Sequence, residues 1–311
     1  MRIVFMGSGQ LACPALEALM GNPNHAVVAV VTQPDRPSGR RQHLKACPVR
    51  SFIGERSIPV LTPENVSAPG VVEQLRSLAP EIVVVADFGQ FLKTPVLALP
   101  SRGTLNIHPS LLPKYRGAAP IAWAIAHGDT QTGVTIMHVN EQMDAGDIVL
   151  QETAEISDED TTVTLEPRLA ELGARLLVRA LDLVAGGRAP RIPQDDAKAV
   201  LAPKLSKEDG RIDWPLPAEQ IRNRVRGFVP WPCCYCEVPE GSGHRLKVLK
   251  SRVEERSGPP GIVLETAGEG PLVACGDKAL RLLEVQPEGK KAMGGAAYLC
   301  GHKIQRGDRF G

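Results

Sequence analysis

Two rhythms of apolar and polar positions divide the 311-residue chain. In the first half, short apolar runs alternate with stretches of helical spacing, the pattern of sheet strands covered by crossover helices. Residues 2–6 read as a strand, 12–20 as a helix turning Leu16, Leu19 and Met20 inward, and 26–32 as a second, β-branched strand. Further apolar runs at 81–86, 103–108 and 133–140 lie between turns marked by Pro and Gly. The repeated β-α-β order predicts an α/β unit with a largely parallel sheet.

The second rhythm begins after a helical stretch at 166–185, whose inner positions are Leu169, Leu172, Leu176, Leu177, Ala180, Leu183 and Val184 and which Gly186-Gly187 stops. Residues 188–206 carry Pro190, Pro193 and Pro203 among polar residues and read as a linker. A short helix at 218–228 and brief strands at 245–251, 261–265, 272–274 and 279–284, broken by Gly and Pro, predict a small β-barrel. The expected organisation is therefore a first domain over 1–187, a linker over 188–206 and a second domain over 207–311.

With 43% hydrophobic and 23% charged residues, the composition excludes intrinsic disorder. Lys and Arg number 36 against 35 Asp and Glu, so a nucleic acid would have to be held by a local patch. No apolar stretch is long enough to span a bilayer, and the N-terminus lacks the regions of a signal peptide, so a cytoplasmic protein is expected. A monomer is expected as well. Seven scattered cysteines, an odd number, read as reduced thiols. Cys233 and Cys236 have C-x-x-C spacing, but no second close pair joins them and no metal is expected.

Three places can carry chemistry. Gly7-Ser8-Gly9-Gln10-Leu11-Ala12 follows a strand and precedes a helix, as a dinucleotide-binding turn does; yet Thr32-Gln33-Pro34 stands where an acidic ribose-binding residue is wanted, and a plain tight turn needs the same glycines. On a strand ending at Pro109, Asn106 and His108 share one face, roughly 6–7 Å apart along the chain. At the C-terminal edge of an open sheet such a pair can stabilise an oxyanion and move a proton, although an ordinary strand end with solvated polar residues carries the same letters. The loop E-Q-M-D-A-G-D-I brings Asp144 and Asp147; a carboxylate there can orient His108, and it can equally be a turn aspartate beside Gly146. The remaining histidines have no obvious polar partner in sequence.

The run L-N-I-H-P-S-L-L-P-K-Y-R-G-A-A-P at 105–120, followed by G-V-T-I-M and M-D-A-G-D-I, resembles the folate-dependent formyltransferases. The resemblance implies a Rossmann-like catalytic domain, an OB-like second domain, and transfer of the formyl group of 10-formyltetrahydrofolate to an amine. It makes Asn106, His108 and Asp144 the catalytic trio and Ser110-Leu111-Leu112-Pro113 the folate-contacting loop. The segments T-Q-P-D-R-P-S-G-R, K-L-S-K-E-D-G-R-I-D-W, V-R-G-F-V-P-W-P and Q-P-E-G-K-K-A-M are similar to members of the family that act on methionyl-initiator tRNA. That likeness would place Arg36, Arg40, Arg41 and Lys45, on a basic loop whose prolines rule out a continuous helix, against the acceptor end of the tRNA. Arg222, Arg226, Lys247, Lys290 and Lys291 are further candidates for phosphate contact. Two other readings stay open: formylation of an amino-sugar nucleotide, and an RNA-binding protein without catalysis. The sequence departs from the family's usual wording at Gly7-Ser8-Gly9-Gln10 and at Phe88-Gly89, the latter beside the expected folate pocket.

Overall fold

The computed structural model describes residues 1–38, 43–54 and 56–311, with side chains at 37, 38 and 43–45 outside the description. Two compact units are interleaved in sequence: Met1–Gly117, Gln131–Glu155 and Glu166–Ala202 form the first, and Ala118–Thr130, Ile156–Leu165 and Pro203–Gly311 the second.

β1 (Arg2–Gly7), α1 (Ala12–Met20) and β2 (Ala26–Val31) lie where the periodicity predicts them. After them come β3 (Arg36–Ser38) and β4 (His43–Lys45), an antiparallel pair within the expected basic loop, then α2 (Pro48–Ile53) and β5 (Val60–Leu61). α3 (Pro69–Ser77), β6 (Ile82–Ala86), α4 (Thr94–Leu97), β7 (Thr104–His108) and β8 (Arg116–Gly117) follow. α5 (Pro120–Ala126) belongs to the second unit, and β9 (Gln131–His138) and β10 (Ile148–Glu155) return to the first. The sheet order is β10-β9-β7-β6-β1-β2-β5, with β5, β2, β1, β6 and β7 mutually parallel and β9 and β10 antiparallel at one edge. From β1 the chain winds outward to β2 and β5, then returns to the other side of β1 at β6. That reversal places the topological switch point, where open α/β sheets keep their ligand crevice, at the ends of β1 and β6. β1 is buried along Ile3–Gly7, as a central parallel strand should be.

α6 (Thr162–Ala185) starts a turn earlier than the sequence suggests, since Pro167 lies inside the helix instead of opening it. The Pro-rich segment after it does not run free. Ile192 exchanges both main-chain hydrogen bonds with Ile148, and β11 (Leu201–Ala202) pairs in parallel with β8.

In the second unit, α7 (Ala218–Gly227) packs Ile221 and Val225 among Ala122 and Ala126 of α5 and Phe228, Leu280, Leu282, Val285 and Phe310. β12 (Cys234–Glu237), β13 (Arg245–Glu254), β14 (Val263–Glu265), β15 (Leu272–Ala274), β16 (Ala279–Pro287) and β17 (Met293–Gly294) form an antiparallel sheet of order β12-β13-β16-β15-β14, with β17 added on β16, and α8 (Gly295–Gly301) follows. The last residues join its two edges: Asp308 and Phe310 bond to Val263 and Gly261, and Gly311 exchanges hydrogen bonds with Glu237. The joined edges leave no open strand there. Cys234 and Cys236 point into this core, where burial pushes the Cys234 thiol up to about 12. Among the described residues no helix is long and apolar enough to cross a membrane.

Candidate functional site

β7 lies between β6 and β9, with Asn106 opposite Val85 and Met137, and His108 opposite Thr135. Pro109 has no N–H to continue the ladder, so the chain leaves the sheet directly after His108. His108 is buried, and its Nε2 stands 2.8 Å from the carbonyl oxygen of Tyr115. A carbonyl only accepts, so Nε2 carries the hydrogen and donates it. Nδ1 is then the nitrogen left to take or release a proton. It faces the Asp144 carboxylate, with Nδ1 and Oδ2 3.7 Å apart. The Gly117 N–H donates to the same Oδ2 at 2.9 Å, and Asn106 Nδ2 donates to Oδ1 at 3.5 Å.

Asn106, His108 and Asp144 thus form one polar group at the C-terminal edge of β7, inside the first unit. Asp144 brings the charge, the imidazole sits between a carbonyl and that charge, and the Asn106 amide keeps a second N–H for another acceptor. This arrangement can hold a developing oxyanion and relay one proton, the two tasks of acyl transfer to an amine.

Ser110, Leu111, Leu112 and Pro113 form the turn that follows. Ser110 is fully buried and its hydroxyl donates to the Lys114 carbonyl at 2.6 Å. Thr135 donates to Ser110 O and accepts from Leu112 N–H, while Gln151 donates to Leu112 O. The turn is therefore pinned from β9 and β10. Phe88 packs its ring into the core with Val4, Met6 and Val31, and its main-chain oxygen accepts from Ser8 Oγ and Gln33 Nε2.

At the switch point, the loop after β1 is already satisfied by the protein's own groups. Ser8 and Gly9 N–H both donate to the Asp87 carbonyl, at 3.0 and 3.2 Å. A Cβ on Gly9 would fall 1.5 Å from Asp87 Oδ2, so any other residue there has to push that carboxylate aside. The Glu166 carboxyl accepts from the Leu11 main chain at the start of α1. N–H groups that would cradle a pyrophosphate are engaged, and two carboxylates border the place, so the glycine motif here is a tight turn and not a dinucleotide site.

Asp87 reaches solvent yet is crowded by neighbouring atoms, which pushes its carboxyl up. Glu166 is raised mainly by burial and then by Asp87. Because the folded chain holds the Asp87 proton more tightly than the unfolded chain, stability is gained as pH falls through the raised value and lost as the group ionises above it. Asp87→Asn should accordingly raise the melting temperature at pH 7.5, and this advantage should close by about pH 3.5, below the ordinary carboxylate range. Thermal unfolding at the two pH values checks this; a lower melting temperature for the variant at pH 7.5 would contradict it.

The basic candidates are placed unevenly. Arg36 pairs with Glu64 at 3.0 Å, both side chains well exposed; Lys45 lies in β4 opposite Arg36; Arg40 and Arg41 lie outside the described residues. Arg222 and Arg226, candidates for phosphate contact, are taken up by the protein's own groups. Arg222 is 11% exposed and bound bidentately by Asp158, at 2.8 and 3.0 Å, with Glu159 and Glu219 nearby. Arg226 donates to the Ser157 and Asp160 carbonyls and to Asn223. An arginine facing a polar loop satisfies that loop's carboxylates and carbonyls before it reaches water, which helical spacing alone does not reveal.

Tyr115 and Gly117 leave no mark in the sequence, because they act through a main-chain carbonyl and a main-chain N–H that nearly every residue type supplies. Nor does Gln194, whose segment has no periodicity.

The chain belongs to the formyl transferase family: residues 1–181 match the model of the formyl transferase domain and residues 204–303 that of the formyl transferase C-terminal domain. Along its length it is similar to the methionyl-tRNA formyltransferases of Moorella thermoacetica, at 46% identity over 313 residues covering 100% of this chain and 99% of that one, and of Geobacter sulfurreducens, at 42% over 311 residues covering 100% and 97%. The N-formyltransferase from Helicobacter canadensis, solved with folinic acid and dTDP-3-aminofucose, has a TM-score of 0.64 at 17% identity, covering 90% of this chain and 98% of that one. This last likeness is one of fold.

Proposed function

We propose that this protein transfers the formyl group of 10-formyltetrahydrofolate to the α-amine of methionyl-initiator tRNA, giving N-formylmethionyl-tRNA for translation initiation in the cytoplasm. The observation that carries the proposal is the convergence of Asn106, His108 and Asp144 on one sheet edge, in a chain matched end to end by relatives named for this reaction.

The formyl group on N10 is amide-like, so attack by the amine forms a C–N bond and leaves negative charge on the formyl oxygen. Asn106 donates to that oxygen, and His108 Nδ1 takes the proton released by the amine. Asp144, facing Nδ1, stabilises the imidazole once it carries that proton, while the Tyr115 carbonyl holds the ring through Nε2–H. Breaking the bond to N10 then returns the proton from His108 to the departing nitrogen, so one proton moves and no redox change occurs. Ser110 shapes the folate-side turn from within, and Leu111, Leu112 and Pro113 form its wall.

Arg36, Arg40, Arg41 and Lys45 act on the tRNA acceptor end. The exposed Arg36–Glu64 pair is of the kind worth little in water, so Arg36 can exchange Glu64 for a phosphate. Residues 1–187 act as the catalytic domain and 207–311 as the tRNA-binding domain, with Lys247, Lys290 and Lys291 replacing Arg222 and Arg226 as its candidate phosphate contacts. Arg40→Ala and Arg41→Ala should each weaken the use of tRNA while leaving folate binding intact, a split read from KM for tRNA against folate affinity; unchanged kinetics with tRNA would remove the loop from the account.

Incubating the protein with 10-formyltetrahydrofolate and either methionyl-tRNA or a 4-amino-sugar nucleotide, with formyl transfer followed by mass, tests the proposal. Transfer to methionyl-tRNA alone is expected. Transfer to the sugar nucleotide alone would keep the trio and overturn the tRNA reading.

A further inference from the structure

Asp144 has a backbone φ of +51°, in the left-handed region that aspartate tolerates better than most residues. What holds it there lies some fifty residues further on, in the proline-rich segment after α6. The Gln194 side-chain amide donates one hydrogen bond to the Asp144 carbonyl at 2.9 Å and a second to the Gly146 carbonyl at 2.8 Å. Its oxygen accepts from Arg116 Nε at 3.0 Å, and Arg116 is anchored in turn by Asp196 at 2.7 Å. The orientation of the amide is forced, because the flipped form would set its oxygen against two carbonyls and its NH2 against a guanidinium. Arg116 precedes Gly117, whose N–H holds the Asp144 carboxylate. Gln194 therefore grips the Asp144 turn from its main-chain side and the residue before its side-chain donor from the other.

We propose that Gln194 is a positioning residue for the transfer reaction: it sets the Asp144 backbone so that the carboxylate meets Asn106 and His108, and it touches neither substrate. This rests on the reading of Asn106, His108 and Asp144 as the formyl-transfer group. A glutamine is required in that role. Glutamate has no N–H to offer and would set a charge against two carbonyls, and alanine offers neither donor nor acceptor.

The test uses the full-length protein as wild type, Gln194→Ala, Gln194→Glu, Asp144→Ala and the double variant Gln194→Ala/Asp144→Ala, measuring kcat and both KM values together with melting temperature. Displacement of a reacting group by about 1 Å can cost about a hundredfold, so Gln194→Ala and Gln194→Glu should each lower kcat by roughly ten- to a hundredfold with both KM values little changed. In the Asp144→Ala background, Gln194→Ala should alter kcat by less than about twofold, because a residue acting only through Asp144 has nothing left to position. Gln194→Glu keeps the side chain's size and carries the test if the alanine variant does not fold. Unchanged kcat in both Gln194 variants would overturn the proposal, as would an equal loss with and without Asp144, which marks a merely structural residue. A wild type that transfers no formyl group, or an Asp144→Ala variant as fast as wild type, would overturn the reading of the trio and this proposal with it.

Discussion

Replacing His108 by alanine is expected to lower kcat for formyl transfer by at least about a hundredfold. Loss of a positioned general base that takes the proton from the attacking amine costs about a hundred- to ten-thousandfold in rate. His108 is placed for that size of effect: it is buried, its Nε2–H is held by the Tyr115 carbonyl, and its Nδ1 faces Asp144. Asn106→Ala should act on the same step with a loss of similar size, since its amide donor belongs to the same polar group. Steady-state kinetics with folding checked by circular dichroism measures both effects. A loss below about tenfold in a folded variant would remove that residue from the chemistry.

The second large effect is expected from a residue that carries no functional group. A Cβ added to Gly146 would lie 1.7 Å from the His138 carbonyl oxygen and 2.8 Å from its carbon. Both atoms are main chain at the end of β9, where the His138 N–H is bonded to the Asp147 carbonyl, so neither can step aside cheaply. The turn itself must retreat by roughly an ångström or more, and Asp144, two residues earlier, moves with it. Gly146→Ala should therefore reduce kcat about a hundredfold with folate affinity nearly retained. Equilibrium binding of 10-formyltetrahydrofolate beside kcat separates this from unfolding, and kcat within about tenfold of wild type would show that the turn is more compliant than its contacts suggest.

Much of the first unit is legible in the order of residues, because parallel strands buried on both faces must be apolar without interruption. That is why β1, β2 and β6 stand out; β7 instead alternates polar and apolar residues, and the alternation assigns Asn106 and His108, two apart, a common face. β10 is not legible in this way. Its outer half alternates half-buried and exposed positions, and the polar loop before it draws attention to itself. β5, with two residues, is too short to leave any period. α6 extends back through Pro167, where a proline reads as a helix start. Asp144 emerges only through its surrounding motif, since nothing local distinguishes a carboxylate that reaches β7 from one that closes its own turn. Gln194 leaves no trace at all: a single glutamine among prolines is ordinary surface sequence until the fold brings it within 2.9 Å of the Asp144 carbonyl.

The basic residues teach the converse lesson. Helical spacing gives the side of α7 on which Arg222 and Arg226 stand, but the 156–160 segment of the same unit supplies carboxylates and carbonyls that take both guanidinium groups. Charge read from sequence locates the residue; the partner decides whether that charge is free for an RNA phosphate.

Formyl transfer through His108 is tested by a single-turnover experiment with excess protein, 10-formyltetrahydrofolate carrying a labelled formyl carbon, and methionyl-tRNA, run in parallel for wild type and His108→Ala. Wild type should place the label on the methionyl α-amine, recovered as formylmethionine after deacylation, and His108→Ala should do so at least about a hundredfold more slowly. No label on methionine with wild type, or equal rates for the two proteins, would contradict formyl transfer through His108.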